Sequence, residues 1–302
     1  MSISRISSRF AATGVATVLA AGALVAGPAG SADAARTDPA RGLGGGTTFT
    51  CTVPILGDID VPIMADIPSL PTELPTELPL DGLPVDVTST IPASLLGPLA
   101  FLGLTDLGGS INAFSMMLGD LPLAVDNISA LPVAIPVVGD LPLALAGSTA
   151  PTTAKAPAPG VYDVAMPSSF NFLPTSSLPL PIPLPELGLP CVIKDPATAT
   201  VGQVTVRKQT SSLAAVAAKK TIKKGKAAKI AASVARELGG AGVGTVKVVE
   251  NGKTLGSKTL SGGAAKFTLR KLKVGKHALK VKYLGNSSTA PATKTVRIRV
   301  VR

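Results

Sequence analysis

The sequence predicts an all-β protein built from two domains of different character. Short apolar or alternating runs recur along the chain and are bounded by Gly, Pro, Asn or Asp, as is typical of strands and turns. Of the 27 prolines, 25 lie between residues 35 and 198, which excludes long helices from that region. About 268 residues follow the N-terminal leader, enough for two domains of ordinary size.

The first 34 residues have the pattern of a secretory signal. Arg5 and Arg9 precede an apolar run from Phe10 to Ala26, and a small-residue cleavage site ends at Ala34. The run is shorter than the ~20 apolar residues that span a bilayer, which favours cleavage over a membrane anchor. No later segment is unbroken enough for a transmembrane helix. We therefore expect a secreted, extracellular or cell-surface protein with a flexible N-terminus over residues 35–47.

Charge divides the mature chain into two halves. Residues 35–198 hold 4 basic and 15 acidic side chains, a net charge of −11, whereas residues 199–302 hold 23 basic and 2 acidic, a net charge of +21. We assign an acidic domain to residues 48–195, a linker to residues 196–210 and a basic domain to residues 211–302. The opposite charges predict an intramolecular contact between the two domains.

The two cysteines, Cys51 and Cys191, bracket the acidic domain. In an exported protein an even pair predicts one disulfide, and closing a loop of about 140 residues would remove roughly 5 kcal/mol of unfolded-state entropy. Free thiols or a metal site are the alternative, which the single histidine, His277, disfavours. The runs between the cysteines predict strands of a small sandwich or barrel, at Phe49–Val53, Val85–Ile91, Leu121–Val125, Val133–Val138 and Gly160–Val164.

Two kinds of short pattern add detail to the acidic domain. GDLPLA occurs at Gly119–Ala124 and again at Gly139–Ala144, which predicts two similar strand entries. Leu70–Leu80 and Leu178–Pro190 have proline at every second to fourth position, which favours polyproline II over sheet. We interpret these proline-rich segments as stiff extended loops packed on the domain or projecting from it, with docking of a partner as the alternative.

Loose motifs in the acidic domain resemble a known group of proteins. They are CTVPILGD from Cys51, the runs Ala65–Pro68 and Val87–Gly97, and the closing LPCVI. These resemble an uncharacterised family of two-cysteine domains from secreted proteins of high-GC Gram-positive bacteria, often found beside immunoglobulin-like modules. The resemblance covers about 145 residues and implies no activity.

The basic domain contains about seven predicted strands. In VGKHALKVKYLG, Leu279, Val281 and Tyr283 share one face of a strand while lysines occupy the other. The Asn251-Gly252 dipeptide tolerates positive φ and predicts a hairpin. The count and turn spacing are those of an immunoglobulin-like sandwich. The remaining runs are Leu213–Ala217, Ala227–Val234, AAKFTLRKL after Gly263, and Thr295–Val301.

The same region resembles the bacterial Ig-like repeat of surface proteins, over about Ser211–Arg302. Asn286 stands where the tip of that repeat usually has an acidic residue, so a calcium contribution from this loop is not expected. The positions that match the repeat are Gly244, Thr245, Val246, Asn251, Gly252, Leu255, Gly256, Phe267, Leu272, Gly275, His277, Leu279, Val281, Tyr283 and Gly285.

The abundant lysines of the basic domain have two open interpretations. Exposed lysine on sheet faces and edges blocks edge-to-edge aggregation, which explains part of the pattern. A net charge of +21 nevertheless exceeds what solubility needs and attracts polyanions such as anionic wall polymer, nucleic acid or membrane. Further cations project from predicted strands at Lys247, Lys258, Lys266, Arg297 and Arg299. The candidate polyanion-binding residues are Lys219, Lys220, Lys223, Lys224, Lys226, Lys229, Lys280 and Lys282.

Catalytic chemistry is not expected in either domain. A Ser-His-Asp triad would need His277, whose place at a strand start favours a turn-capping role. Two-carboxylate hydrolysis is formally open to Asp58, Asp60, Asp120 and Asp140. The chain has no Trp and only two Tyr, however, so the usual platform for stacking sugars is lacking.

These observations favour a non-enzymatic protein without cofactor or metal. Phe267 and Tyr283 occupy predicted core positions, so an exposed aromatic row for sequence-specific nucleic-acid readout is not expected. The leading hypothesis is an Ig-like module for display, adhesion or matrix contact. Polyanion binding by the basic domain is the alternative, and an unrecognised hydrolase in the acidic domain is least favoured.

Overall fold

The computed structural model describes residues 43–54, 56–101, 103–151, 154–177 and 188–302. The secretory signal and most of the expected flexible N-terminus lie outside these residues, as does most of the proline-rich segment Leu178–Pro190. Within the described ranges the chain is almost entirely β-structure, which confirms the predicted fold class.

In the first region, up to Arg207, the described residues form twelve strands, one short α-helix and a turn of 3₁₀ helix. Helix α1 (Ala93–Phe101) follows the fourth strand. The strands are β1 (Leu43–Val53), β2 (Gly57–Ile67), β3 (Glu73–Pro75), β4 (Pro84–Ile91), β5 (Asp106–Asn112), β6 (Ser115–Leu118), β7 (Leu121–Ala134), β8 (Leu141–Thr149), β9 (Gly160–Ala165), β10 (Ser169–Thr175), β11 (Leu189–Ile193) and β12 (Thr200–Arg207).

Eight of these strands close into an antiparallel barrel. Around the barrel the order is β7-β5-β10-β11-β1-β2-β4-β8, and β8 pairs again with β7. The sheet continues past β7 through β6, β9, β12 and β3. Along β2 the buried residues Val61, Ile63 and Ala65 alternate with outward-facing residues, as the two-residue period of a strand requires. Of the two predicted architectures, sandwich or barrel, the structure shows the barrel.

The predicted disulfide between Cys51 and Cys191 is confirmed. The two residues lie directly opposite each other on β1 and β11, with their Cα atoms 4.0 Å apart and a sequence separation of 140. Both residues are buried in the barrel core. The bond therefore joins two neighbouring barrel strands that come from opposite ends of the first region.

Helix α1 covers one end of the barrel. Its buried residues, Leu96 and Leu99, belong to the barrel core. The helix contains Gly97 and Pro98, both of which weaken a helix, so its position depends on packing rather than on intrinsic propensity. The Asp140 carboxylate accepts a hydrogen bond of 2.8 Å from the first backbone N–H of the helix. This carboxylate anchors the start of the helix to the loop before β8.

The second region is a sandwich of two sheets. One sheet has the order β13-β15-β18 and the other β14-β20-β19-β16-β17, with β14 and β20 parallel and the other pairs antiparallel. The immunoglobulin-like architecture is therefore confirmed, and β14 adds a short strand to the seven predicted. The strands are β13 (Ser211–Ala217), β14 (Thr221–Lys223), β15 (Ala228–Arg236), β16 (Thr245–Glu250), β17 (Lys253–Thr259), β18 (Ala264–Leu269), β19 (Gly275–Tyr283) and β20 (Ala292–Val301).

Two local sequence patterns correctly predict where strands begin or turn, one in each region. Asn251 and Gly252 both have positive φ, 47° and 80°, and join β16 to β17 as the predicted hairpin. The two GDLPLA segments each lead into a strand that begins at the first leucine, at Leu121 for β7 and Leu141 for β8.

Two predictions in the first region were wrong. No strand spans Val133–Val138, because β7 ends at Ala134 and the following prolyl residue, Pro136, cannot donate to a sheet ladder. The expectation that Leu70–Leu80 avoids sheet also fails, since it contains β3, which pairs in parallel with β12. Leu70, Leu74 and Leu80 are buried, so this segment is packed on the region rather than projecting from it.

The segment expected as a linker, residues 196–210, is largely structured. It contains a turn of 3₁₀ helix, Pro196–Thr198, and then strand β12, which pairs with β9 and β3. Val204 and Val206 are buried in the first region, so their apolar alternation fixes β12 to its sheet. The exact domain boundaries stay a prediction.

Candidate polyanion-binding surface

A lysine groove lies at the edge strand β14 of the sandwich. It has a volume of about 720 Å³ and lies between the start of β14, the turn after it and the start of β15. Lys219, Lys223, Lys226 and Lys229 line it, and all four are exposed. Gly225 in the turn has a φ of +83°, which lets the chain reverse tightly between these lysines.

A cationic face occupies the outer side of the neighbouring five-stranded sheet. Cross-strand partners share one face of a sheet, and the register pairs Lys276 with Arg299, and Lys282 with Lys247. Like charges placed directly opposite each other on two strands destabilise a sheet. The cationic face therefore gathers charge at a cost to stability. Its members are Lys247, Lys276, Lys280, Lys282, Arg297 and Arg299.

The lysine groove and the cationic face are joined by a second pocket. This pocket has a volume of about 390 Å³ and is lined by Lys220, Lys276, Arg297 and Arg299, beside His277. Lys220 immediately precedes β14, so the two surfaces meet at this edge of the sandwich. Together they form one continuous basic surface.

Few acidic residues are available in the sandwich to neutralise the basic surface. The only two acidic residues after residue 198 are Glu237 and Glu250. Glu237 pairs with Arg207, and Glu250 pairs with His277. Among the residues that the structure describes, no ion pair involves a lysine of the groove or a cation of the face.

His277 lies between two hydrogen-bonding groups at the start of β19. Its Nδ1 lies 2.7 Å from a carboxylate oxygen of Glu250, and its Nε2 lies 2.7 Å from the carbonyl oxygen of Lys273. A carbonyl and a carboxylate both accept hydrogen bonds, and the imidazolium can donate to both at once, so this geometry favours the protonated ring. Burial lowers the pKa of His277, but the hydrogen bonds to Lys273 and Glu250 outweigh it and raise the pKa above its ordinary value. The bond to Lys273 is the turn-capping role that the sequence suggested.

The structure brings together seven of the eight lysines named as candidates. Lys219, Lys223, Lys226 and Lys229 line the groove, Lys220 lines the joining pocket, and Lys280 and Lys282 lie on the cationic face. Lys224 is exposed in the turn but lines neither pocket. Its role in binding has no support from the geometry.

Sequence reasoning missed Lys276 and left the strand arginines out of the candidate site. Alternation in RIRV already placed Arg297 and Arg299 on one side of β20. Their neighbours across the sheet could not be read from one sequence, because that requires the register of β19 against β20. Both aromatic residues of the sandwich, Phe267 and Tyr283, are buried, as predicted.

The two regions meet at a polar junction formed by Glu77, Arg207, Gln209, Arg236 and Glu237. Arg207 donates two hydrogen bonds, of 2.7 and 2.6 Å, to the two carboxylate oxygens of Glu237. Arg236 of the sandwich donates a hydrogen bond of 2.6 Å to Glu77 of the first region. The side-chain amide of the buried Gln209 donates to the backbone carbonyl of Thr76 and to Glu77.

The junction has an electrostatic consequence for Glu237. The guanidinium of Arg207, assisted by the backbone N–H of Thr210, lowers the pKa of Glu237 to about 2. Specific ion pairs and hydrogen bonds therefore join the two regions, including backbone hydrogen bonds from Gln209 to Ser288 and from Ala290 to Gln209.

Three of the four carboxylates that formally allow hydrolysis have partners elsewhere in the structure. Asp58 accepts a hydrogen bond from Thr52, and Asp60 accepts one from Thr50 and pairs with Lys194. Asp140 anchors α1, whereas Asp120 lies exposed in the turn before β7. Within the described ranges, no cluster of three or more His, Cys, Asp or Glu side chains could hold a metal ion.

Family comparison agrees with this two-part architecture. The model of a bacterial Ig-like domain (group 3) matches residues 215–301, which makes the second region an Ig-like domain. The model of a family of unknown function, DUF6801, matches residues 48–202, just over half of the chain. The chain therefore belongs to the DUF6801 family. None of the curated proteins is similar enough in sequence to match it.

Two solved structures show weak similarity to the chain. A Corynebacterium diphtheriae protein described as membrane anchored is 12% identical, with a TM-score of 0.37, and the match covers 85% of this chain and 59% of that protein. Fibronectin(III)-like modules of Clostridium thermocellum CbhA are also 12% identical, with a TM-score of 0.26, covering 76% of this chain and 88% of theirs. Both scores are below 0.5, so neither structure identifies a fold or a function here.

None of the helices in the described part of the chain has the length and apolar character needed to cross a bilayer.

Proposed function

We propose that this chain is a secreted, non-enzymatic protein of the bacterial cell surface, whose Ig-like domain makes adhesive or matrix contacts by binding an anionic polymer. The observation on which this proposal rests is the continuous basic surface formed by the lysine groove and the cationic face. Among the described residues its cations form no ion pair with a carboxylate, and Lys247 and Lys282 lie opposite each other despite their repulsion. A bound polyanion would remove that repulsion.

The location is inferred from two features of the chain. The secretory pattern of residues 1–34 predicts export, and the Cys51–Cys191 disulfide is typical of proteins that work in oxidising surroundings. Ig-like domains of this bacterial group supply a stable scaffold, so the specificity must come from the residues on its surface.

The candidate ligand is a flexible phosphate-rich or carboxylate-rich chain rather than a base-specific nucleic acid. Lysine is a compact point charge that binds phosphate without strict geometry. Phe267 and Tyr283 are buried and cannot stack on bases. An anionic wall polymer such as teichoic acid fits these requirements.

A pair of matched triple variants tests the proposal in the full mature chain. Changing Lys219, Lys223 and Lys226 to Gln removes three groove lysines, each expected to contribute about 1 kcal/mol near an anionic surface. The dissociation constant for purified teichoic acid should therefore rise by roughly two orders of magnitude at low salt.

The control variant removes the same charge elsewhere. Lys253 and Lys258 lie on β17, at the opposite edge of the sheet from β14, and Lys294 lies near the start of β20. Their change to Gln should weaken binding about threefold or less. Equal losses of affinity in both variants would show that only the net charge matters. If the unaltered chain does not bind teichoic acid, polyanion binding is excluded and only a role in display remains.

A further inference from the structure

An apolar cavity of about 60 Å³ lies inside the barrel beneath α1. Leu95 and Leu99 of the helix form its cover, and Phe172 and Leu189 lie on its wall beside the disulfide. Ser89 supplies the only polar side chain among the described residues that line it. An apolar cavity of this kind stays dry, so it is free for an apolar occupant.

The cavity is confined to one end of the barrel. Phe170 lines the cavity and belongs to a cluster of aromatic rings, with the centroids of Phe49 and Phe170 4.9 Å apart and those of Phe114 and Phe170 5.9 Å apart. Protein cores are normally packed without such gaps. The space beneath α1 is therefore a local feature of the barrel end that the helix covers.

The surface around this end is unusually apolar. Phe101 at the end of α1, and Val137 and Val138 in the loop before β8, are 91%, 101% and 88% exposed. Leu131, near the end of β7, is 85% exposed. Apolar side chains gathered at one place on a protein surface are typical of a binding site.

Hydrogen bonds place the apolar loop beside the helix. The backbone N–H of Ile135 donates to the carbonyl of Thr105, just after α1, and Asp140 accepts from the N–H of Ala93 at its start. The loop with Val137 and Val138 is thus fastened near both ends of α1. The exposed apolar residues and the cavity belong to the same end of the barrel.

We propose that this end of the barrel binds the unbranched alkyl chain of a lipid, with the tip of the chain in the cavity and its polar head in solvent. The cavity is less than half the ~150 Å³ that admits a benzene ring, so a ring does not fit. An unbranched chain is the narrowest apolar group. The part that extends beyond the cavity would lie along Phe101, Val137 and Val138.

Binding by the full mature chain can be followed with cis-parinaric acid, an 18-carbon fatty acid whose fluorescence rises in apolar surroundings. Straight-chain primary alcohols of 6 to 16 carbons then compete with it. We expect saturable binding of one probe per chain. Each added methylene that is buried should tighten competition by up to about fourfold, until the alcohol exceeds the site.

A matched pair of variants locates the bound probe. Ile111 lines the cavity, so Ile111→Phe should fill it and weaken binding at least tenfold. Val192 follows Cys191 on β11 and faces outward, 55% exposed, so Val192→Phe adds the same bulk outside the barrel and should leave binding unchanged. Circular dichroism checks the fold of both variants. If Ile111→Phe does not fold, the alcohol series with the unaltered chain still decides.

Several results would overturn the proposal. The first is an absence of saturable probe binding, and the second is competition that does not depend on chain length. Equal binding by folded Ile111→Phe and Val192→Phe would place the probe on the outer surface instead. A cage-shaped alcohol such as adamantanol should compete at least tenfold more weakly than 1-decanol, and equal competition would exclude selection for an unbranched chain.

Discussion

The two regions of this protein differ in where their distinctive features lie: inside the barrel in the first region, and on the outer face of a sheet in the sandwich. The barrel is acidic, contains most of the prolines, and is unusual on its inside, where a cavity lies beneath a weak helix. The Ig-like sandwich has a core of buried apolar side chains and is unusual on its outside, where cations cover one sheet. This contrast teaches that the same alternating strand pattern can serve either an interior or an exterior site.

Removal of the disulfide should give the largest effect and separate the two regions most clearly. The double variant Cys51→Ala with Cys191→Ala should lower the free energy of unfolding of the barrel by roughly 2–5 kcal/mol, because the unfolded chain gains freedom. The sandwich should change by no more than about 0.5 kcal/mol, since the bond is distant from it.

Tyrosine fluorescence can follow the two transitions separately. The chain has only two tyrosines, Tyr162 in the first region and Tyr283 in the sandwich core. A Tyr283→Phe background reports on the first region, and a Tyr162→Phe background reports on the sandwich. Equal destabilisation by both reporters would show that the regions unfold as one unit.

The junction should give an intermediate effect that depends on acid. The folded pKa of Glu237 is about 2, below its ordinary value near 4.5, so its contribution is complete above pH 4.5 and is lost as the pH falls towards 2. Glu237→Gln should abolish this dependence on acid. It should also weaken the association of the two regions by about 1–3 kcal/mol at neutral pH.

Small-angle scattering of the unaltered chain and of Glu237→Gln can check the junction. The variant should have a larger radius of gyration at neutral pH, and the unaltered chain should approach it near pH 2. An unchanged profile in both cases would mean that Gln209 and the Arg236–Glu77 pair are sufficient to hold the regions together.

The smallest expected effect concerns His277, the only histidine of the chain. Because the pKa of His277 is raised in the folded protein, its contribution to the free energy of unfolding is complete below pH 6.5. That contribution is lost as the pH rises through the pKa of the folded state. A proton NMR titration of the single ring should give a pKa above the ordinary value. Glu250→Gln should lower it, and a pKa at or below the ordinary value in the unaltered chain would contradict the paired geometry.

Much of the sandwich could be predicted from sequence because its signals are local. Alternation in HALKVKY and the Asn251-Gly252 turn each specify structure over a few residues. The barrel was harder, since its closure depends on pairing between distant strands, such as β1 with β11. Helix α1 was not predicted because Gly97 and Pro98 disfavour a helix that only the barrel core stabilises.

The candidate sites differ in the same way: some of their residues are close in sequence, and others are brought together only by strand pairing. The lysines of the groove are close in sequence, so a charge cluster already marked them. Lys276 joins Arg299 only through strand register, and the cavity depends on strands from the whole first region. Gly109, for example, leaves room for the Phe172 ring, because a Cβ there would lie 2.5 Å from the ring.

The most direct test of the proposed division of roles is the salt dependence of binding to purified teichoic acid. Each phosphate contact made by a cation should contribute about −0.7 to the slope of the logarithm of the binding constant against the logarithm of salt concentration, as for single-stranded nucleic acid. We predict a steep slope for the full mature chain that becomes shallower by about 2 when Lys219, Lys223 and Lys226 are changed to Gln. A slope near zero, or one that the three substitutions leave unchanged, would contradict a contact role for the basic surface.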